Sequence, residues 1–333
     1  NEYIFASSQG NHKGKKQRYI SRIDQIAKQW NDPEFRKNHY CKVVLEECHT
    51  NLLGPEERKF IESLNADCIV YISGTMGKLI VGGIIDSDDI YRFDLVQAME
   101  AKANNHFRFK DFPTPLFIVN DHSQAFTSAD PENPNFAKAL SWTGTQPTYL
   151  NTDVDAIFTS IASDKGSRKT MPLLGTPRST GNIPKELFNF TTNHGWIVVP
   201  SGKGDDDSSV GAQSTVEYYL TNTSQAYWNK YKPLPVSAGG MSEAEVNRQQ
   251  HQNEFTQTIS GGALNTGTTF EKLDHMIWLA ESSSYSEFWQ TVGRLFEIKS
   301  DKDIVPVVLP SWSMYINFMS ELALHSQKPG QTY

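Results

Sequence analysis

The sequence predicts two parallel α/β domains joined by a stretch of irregular composition, on three observations. Over residues 1–120, short apolar segments of strand length alternate with segments of helical apolar spacing. The same alternation returns over residues 186–333. Between them, residues 121–185 are dense in Pro, Ser, Thr, Asp and Asn and read as an insertion or linker. A chain of 333 residues is long enough to bury two cores.

The elements follow in order. Strands are expected at residues 3–7, 42–45, 68–72 and 116–119. Ile20, Ile23, Ile26 and Ala27 give residues 18–30 helical spacing. PEERKFIESL at 55–64 starts with proline and two acids, which suits the first turn of a helix. In the middle stretch the apolar island at 154–161 stands alone. GWIVVP at 195–200 is a strong strand, followed by the polar loop SGKGDDDSSVG at 201–211. A short strand at 236–238, a polar helix at 243–255, strands at 258–260 and 275–279, a helix at 286–296 and a strand at 305–309 complete the chain.

Bulk properties exclude some classes. A net charge of -7 argues against coating nucleic acid by overall positive charge, though not against local contacts. No apolar run approaches the roughly 18 residues of a membrane span, so no membrane partner is expected. Cys41, Cys48 and Cys68 are an odd, scattered set, the pattern of free thiols in a reducing, cytoplasmic compartment.

The stretch CKVVLEECHT at 41–50 carries the chemistry. An apolar strand stops at Glu46 and Glu47, with Cys48 and His49 beyond. Ligands of an open parallel sheet collect at the carboxyl ends of its strands. Two carboxylates there call for a positive charge between them, such as Mg²⁺ with a nucleoside triphosphate. The alternatives are a solvated strand end, and a zinc site at Cys48 and His49 that lacks a paired C-x-x-C. About twenty residues on, a second apolar strand ends in Ser73-Gly74-Thr75.

VVLEECH followed by VYISGT resembles motifs II and III of superfamily 2 DExH-type helicases in order, spacing and strand context. The resemblance implies two RecA-like parallel-sheet domains of the P-loop NTPase type, with the first incomplete. Domain one would be residues 1–120 and domain two residues 186–333. It also implies ATP and Mg²⁺ as cofactors. Glu46 would hold the metal, Glu47 would activate water, His49 would signal to the opposite domain, and Ser73 and Thr75 would couple hydrolysis to movement. Glu46 stands where the family usually has Asp. YIFASSQG at 3–10 is similar to the segment before motif II in restriction-type relatives, which would put Gln9, Lys13 and Lys15 on nucleic-acid phosphates.

The second half supplies the complement. LNTGTTFEKLDHMIWL at 264–279 resembles motif V, with Thr266 on nucleic acid, Gly267 and Thr269 toward the nucleotide, and Asp274 in register. SEFWQTVGRLFE at 286–297 resembles the Q-x-x-G-R of motif VI. Gln290, Gly293 and Arg294 are spaced to share a helical face. Gln290 would read the nucleotide and Arg294 would be the arginine finger. A mid-helix glycine costs roughly 1 kcal/mol relative to alanine, and close packing at a cleft is one reason for Gly293. Glu297 stands where many relatives carry a second arginine.

The phosphate loop G-x-x-x-x-G-K-[ST] is not in the sequence. GNHKGK, SGTMGK and PSGKG each fail its spacing. In the helicase order that loop precedes motif II, so a segment upstream of Asn1 is expected to carry it. The expected function is an ATP-dependent motor on DNA or RNA in a bacterial or phage-infected cell, with a nuclease or methyltransferase domain or subunit as a further partner. The alternative is a catalytically inactive relative that binds DNA or organises an assembly. A metal-dependent hydrolase built on Glu46, Glu47 and His49 is the third reading.

Overall fold

The computed structural model describes residues 28–46, 59, 61–72, 83, 95–119, 136–140, 142–143, 152–162, 169–172, 193–200, 209–236, 241–261, 270–280, 285–296 and 304–325. The chain divides into two compact units, Asn1–Tyr91 and Arg92–Tyr333. Both are α/β with parallel strand pairing, the fold class the sequence predicts.

In the first unit, helix α1 (Pro33–Asn38) begins with proline after the N-cap Asp32, whose Oδ1 accepts the N–H groups of Glu34 at 2.8 Å and Phe35 at 3.3 Å. Strand β1 (Lys42–Glu46) pairs in parallel with β2 (Cys68–Ile72), from Lys42 opposite Cys68 to Glu46 opposite Ile72. Residues 28–30, 59 and 61–63 are helical, within the two helices expected here. The strand expected at 3–7 lies outside the described residues.

The second unit holds helix α2 (Leu95–Ala103), strand β3 (Thr114–Val119), helix α3 (Phe136–Ala139), the short β4 (Trp142–Thr143), helix α4 (Thr152–Ala162), and strands β5 (Lys169–Pro172) and β6 (His194–Val198). It continues with the short β7 (Ser209–Val210), α5 (Ala212–Asn222), β8 (Lys232–Val236), α6 (Glu243–Gln252), β9 (Thr256–Ser260), β10 (His275–Trp278), α7 (Tyr285–Gly293), β11 (Ile304–Leu309) and α8 (Trp312–His325). Seven strands form one sheet in the order β5-β3-β11-β10-β6-β9-β8, all parallel except the edge strand β5.

Helices cover both faces, as parallel sheets require. One face carries Trp196, Val198, Leu234, Met276, Trp278 and Val307, under α2, α6, α7 and α8. The other carries Ile197, Val199, Ile259 and Ile277, under α3, α4 and α5. The strand at 116–119, read as part of the first domain, pairs along its length with β11. The stretch 121–185 is not merely an insertion, because its α4 buries Val154, Ile157, Phe158 and Ile161 in the second core. That i, i+3, i+4, i+7 spacing is a helical stripe visible in the sequence. Asp155 Oδ1 also accepts from Tyr219 Oη at 3.1 Å and from Gln225 Nε2 at 2.9 Å.

Strand β8 (KPLPV) sits two to four residues before its expected place. Its prolines hid it, since proline is confined to sheet edges. Lys232 donates its N–H inward to Phe255 O at 3.0 Å. Pro233 and Pro235 alternate with it, so they remove N–H groups from the outward side and close this edge to further pairing.

The amino-terminal rim of the sheet holds a buried polar network. Asp274, just before β10, accepts the N–H groups of Asn193 at 2.7 Å and His194 at 3.0 Å on Oδ2, and its own N–H donates to His194 O at 2.9 Å. His275 donates from Nδ1 to Asp274 Oδ1 at 2.5 Å, and its Nε2 accepts from Gln257 Nε2 at 2.8 Å. Gly195 lies between Gln257 and His275 in the register, and their side chains meet over it. A Cβ at Gly195 would fall 2.2 Å from both Gln257 Oε1 and His275 Nε2. Gly195→Ala is therefore expected to lower stability by about 1–3 kcal/mol through overpacking, read as a lower midpoint in urea unfolding with an unchanged slope.

His194 is buried, with Nδ1 3.0 Å from Thr256 Oγ1. Burial lowers its pKa to about 4, against a smaller opposing pull from Asp274. The folded state then binds its proton more weakly than the unfolded chain, whose histidine titrates near 6.5. The resulting stability is complete above that pH and is lost as pH falls toward 4. It amounts to about 3 kcal/mol. Urea unfolding across this window should show the loss, and His194→Gln should reduce the pH slope.

Candidate functional site at the carboxyl rim

The amino-terminal ends of β6 and β10 are occupied by structural bonds, and ligands of an open parallel sheet collect at the carboxyl ends of its strands. In the first unit, β1 and β2 run in parallel and end level, with Glu46 opposite Ile72. The two sequence blocks that begin at these ends, Glu46-Glu47 and Ser73-Gly74-Thr75, are therefore launched from adjacent positions of one edge. Glu46 is the last residue of β1. Glu47, His49, Ser73 and Thr75 lie outside the described residues, as do Gln9, Lys13 and Lys15.

In the second unit, β6 is the point where chain order reverses. The chain passes from β6 to β8, returns through β9, and then crosses to β10 on the other flank of β6. The ladders continue to the carboxyl ends, where Val199 N–H donates to Ser260 O at 2.9 Å and Leu279 N–H to Val198 O at 2.7 Å. Thr266, Gly267 and Thr269 follow β9 and lie outside the described residues.

Gln290 and Arg294 are reached from β10 through α7. Phe288, Thr291, Val292 and Leu295 are the buried side of this segment. Gln290 and Arg294 are half-buried beside that stripe. The expected shared helical face is corrected in one respect: the α-helix ends at Gly293, and Arg294–Phe296 is a 3₁₀ turn. Gly293 is exposed, and a Cβ there meets nothing within 4 Å among the described residues. Its place is the change of helix type. The Nε of Arg294 is buried and has no hydrogen-bond partner among the described residues.

Asp274, which the sequence pattern aligned with the nucleotide-side block, belongs to the amino-terminal rim and acts there as a strand clamp. Among the described residues no group of three or more His, Cys, Asp or Glu side chains could hold a metal ion. Among them, too, no helix is long and apolar enough to cross a membrane.

The class these features define is an α/β protein with parallel sheets and a half-buried arginine turn leading from a central strand. No protein-family model and no curated protein matches the chain. Among solved structures, it is similar to an ATP-dependent Type ISP restriction-modification enzyme, LlaBIII, bound to DNA. The identity is 14%, the TM-score 0.42, and the match covers 83% of this chain and 18% of that one. The chain thus spans less than a fifth of that enzyme's length, and the enzyme's ATP dependence and DNA are its own.

Proposed function

We propose that this chain is the motor core of an ATP-driven nucleic-acid helicase or translocase. The observation that carries the reading is Arg294, whose Nε is buried without an acceptor among the described residues. A buried donor left unpaired is costly, and a nucleotide phosphate is an acceptor of suitable charge. The level ends of β1 and β2 support it, since they start the two blocks of the first half from one edge. The residues present fit part of a nucleotide site, because the sequence contains no phosphate-cradling loop.

In this reading Glu46 would hold Mg²⁺ and Glu47 would orient the attacking water and accept its proton. Arg294 would neutralise charge on the transferring group, and Gln290 would position it. Thr266, Gly267 and Thr269 would approach the nucleotide from the β9–β10 connection. His49, Ser73 and Thr75 would link the site to nucleic acid held at Gln9, Lys13 and Lys15. The Mg²⁺–ATP complex supplies a phosphoanhydride bond whose hydrolysis drives movement. DNA is the favoured track, with a nuclease or methyltransferase as the coupled activity.

A second reading rests on Glu46, Thr269 and Glu297, which depart from the helicase pattern. It makes the chain a catalytically silent DNA-binding or assembly module. DNA-stimulated ATP turnover by the full polypeptide that carries these residues separates the two. The motor reading expects turnover that falls about a thousandfold or more in Arg294→Ala and is abolished in Glu47→Gln. Equal inertness of wild type and Glu47→Gln, with DNA binding retained, would establish the module instead.

A further inference from the structure

The segment between α2 and β3 reads NNHFRFKDF, and the function proposed above makes no use of it. Its backbone is closely held. Asn105 has a left-handed φ of 54°, which asparagine tolerates better than most residues. His106 N–H donates to Ala101 O at 2.9 Å and Asn105 N–H to Lys102 O at 2.9 Å, the paired bonds of a Schellman cap. Phe109 N–H and Lys110 N–H then donate to His106 O at 2.8 and 3.0 Å, and Phe112 N–H to Phe109 O at 2.9 Å. Lys102 Nζ ties the base of the turn by donating to Phe112 O at 2.7 Å and Thr114 Oγ1 at 3.0 Å.

The rings divide into two sets. Phe112 packs against the core and stands 5.6 Å from Phe296, with Phe109 6.3 Å from Phe112. Phe107 is turned outward and is 73% exposed, the largest exposure among the large apolar side chains described. The His106 ring stacks on it at 4.9 Å with a 27° interplanar angle, and the Arg108 guanidinium lies 5.4 Å from its centroid. Lys110, three residues after Phe107, is exposed. A single exposed phenylalanine needs no explanation. An outward ring on a hydrogen-bonded turn, stacked on a histidine, approached by an arginine and followed by an exposed lysine on the same turn, is a different arrangement. It offers a π-face together with positive charge, the two requirements for holding an unpaired nucleotide.

We propose that Phe107, with His106, Arg108 and Lys110, forms a stacking platform for single-stranded nucleic acid. A base lies against the Phe107 ring, while Arg108 and Lys110 contact the flanking phosphates. The platform precedes β3 and so lies at the amino-terminal end of that strand, away from the carboxyl rim. Only the choice of polymer rests on the motor reading.

The test is fluorescence anisotropy of a labelled oligothymidylate titrated with the 333-residue chain, compared with the same sequence as a duplex. Phe107→Ala should weaken single-strand binding about tenfold or more, Phe107→Tyr should retain it, and thermal unfolding should be unchanged in both. Phe107→Trp should show emission quenched by the oligonucleotide. Equal binding by wild type and Phe107→Ala, no binding by wild type, or no quenching in Phe107→Trp would overturn the platform. The assay uses no nucleotide triphosphate, so a motor reading that fails on turnover leaves a Phe107-dependent affinity standing, and a platform that fails here leaves turnover untouched.

Discussion

One device sets the start of the parallel pairing in both units: an aspartate immediately before a strand, clamping the residue opposite it. Asp67 precedes β2, accepts Cys41 N–H on Oδ2 at 2.7 Å, and donates its own N–H to Cys41 O at 2.9 Å. Asp274 precedes β10 and makes the same two bonds with His194, at 3.0 and 2.9 Å. Each aspartate thus closes a ring with one residue of the neighbouring strand. Hydrogen bonds to a charged group contribute about 1.5–3 kcal/mol each, more than an ordinary ladder bond. Register needs such a device, because a slip of one residue would turn every buried side chain to the wrong face.

The rest of the second sheet follows from that rim. With β6 and β10 fixed at their starts, Gln257 and His275 can meet across Gly195, and His194 can meet Thr256. On the buried strand β9 (TQTIS), Thr256 and the Gln257 amide nitrogen are paired in this way and Ser260 Oγ accepts from Trp196 Nε1 at 2.8 Å, while Gln257 Oε1 and Thr258 Oγ1 have no hydrogen-bond partner among the described residues. The polar groups that specify the sheet are gathered mainly at its amino-terminal rim. The turn that carries Arg294 ends α7, and its Phe296 stands 5.6 Å from Phe112, which precedes β3.

Much of the framework was legible in the sequence, and the losses have physical causes. The strands at 42–46, 68–72 and 304–309 are short apolar or β-branched runs bounded by polar residues, which is the ordinary strand signal. The first half of β9 was missed because a polar strand fits no hydrophobic template, and β8 because prolines usually argue against a strand. Helix α4 was passed over for the composition around it, although Val154, Ile157, Phe158 and Ile161 have helical spacing. The clamp made by Asp274 was not foreseen, because a linear pattern cannot say which rim of a sheet a residue occupies. Of the candidate residues, Glu46 was read from its place at a strand end and Arg294 from a motif resemblance on a helix. The outward Phe107 was not, because exposure depends on which of three nearby rings the turn leaves outside.

The central claim, that the Asp274 clamp fixes the central strands as a unit, is tested most directly by native-state hydrogen exchange in Asp274→Ala. The clamp predicts that amides of β6, β9 and β10 lose protection together, including the distant Val198, Ser260 and Trp278. Loss confined to Asn193 and His194, with the far ends of the strands still protected as in the wild type, would contradict it.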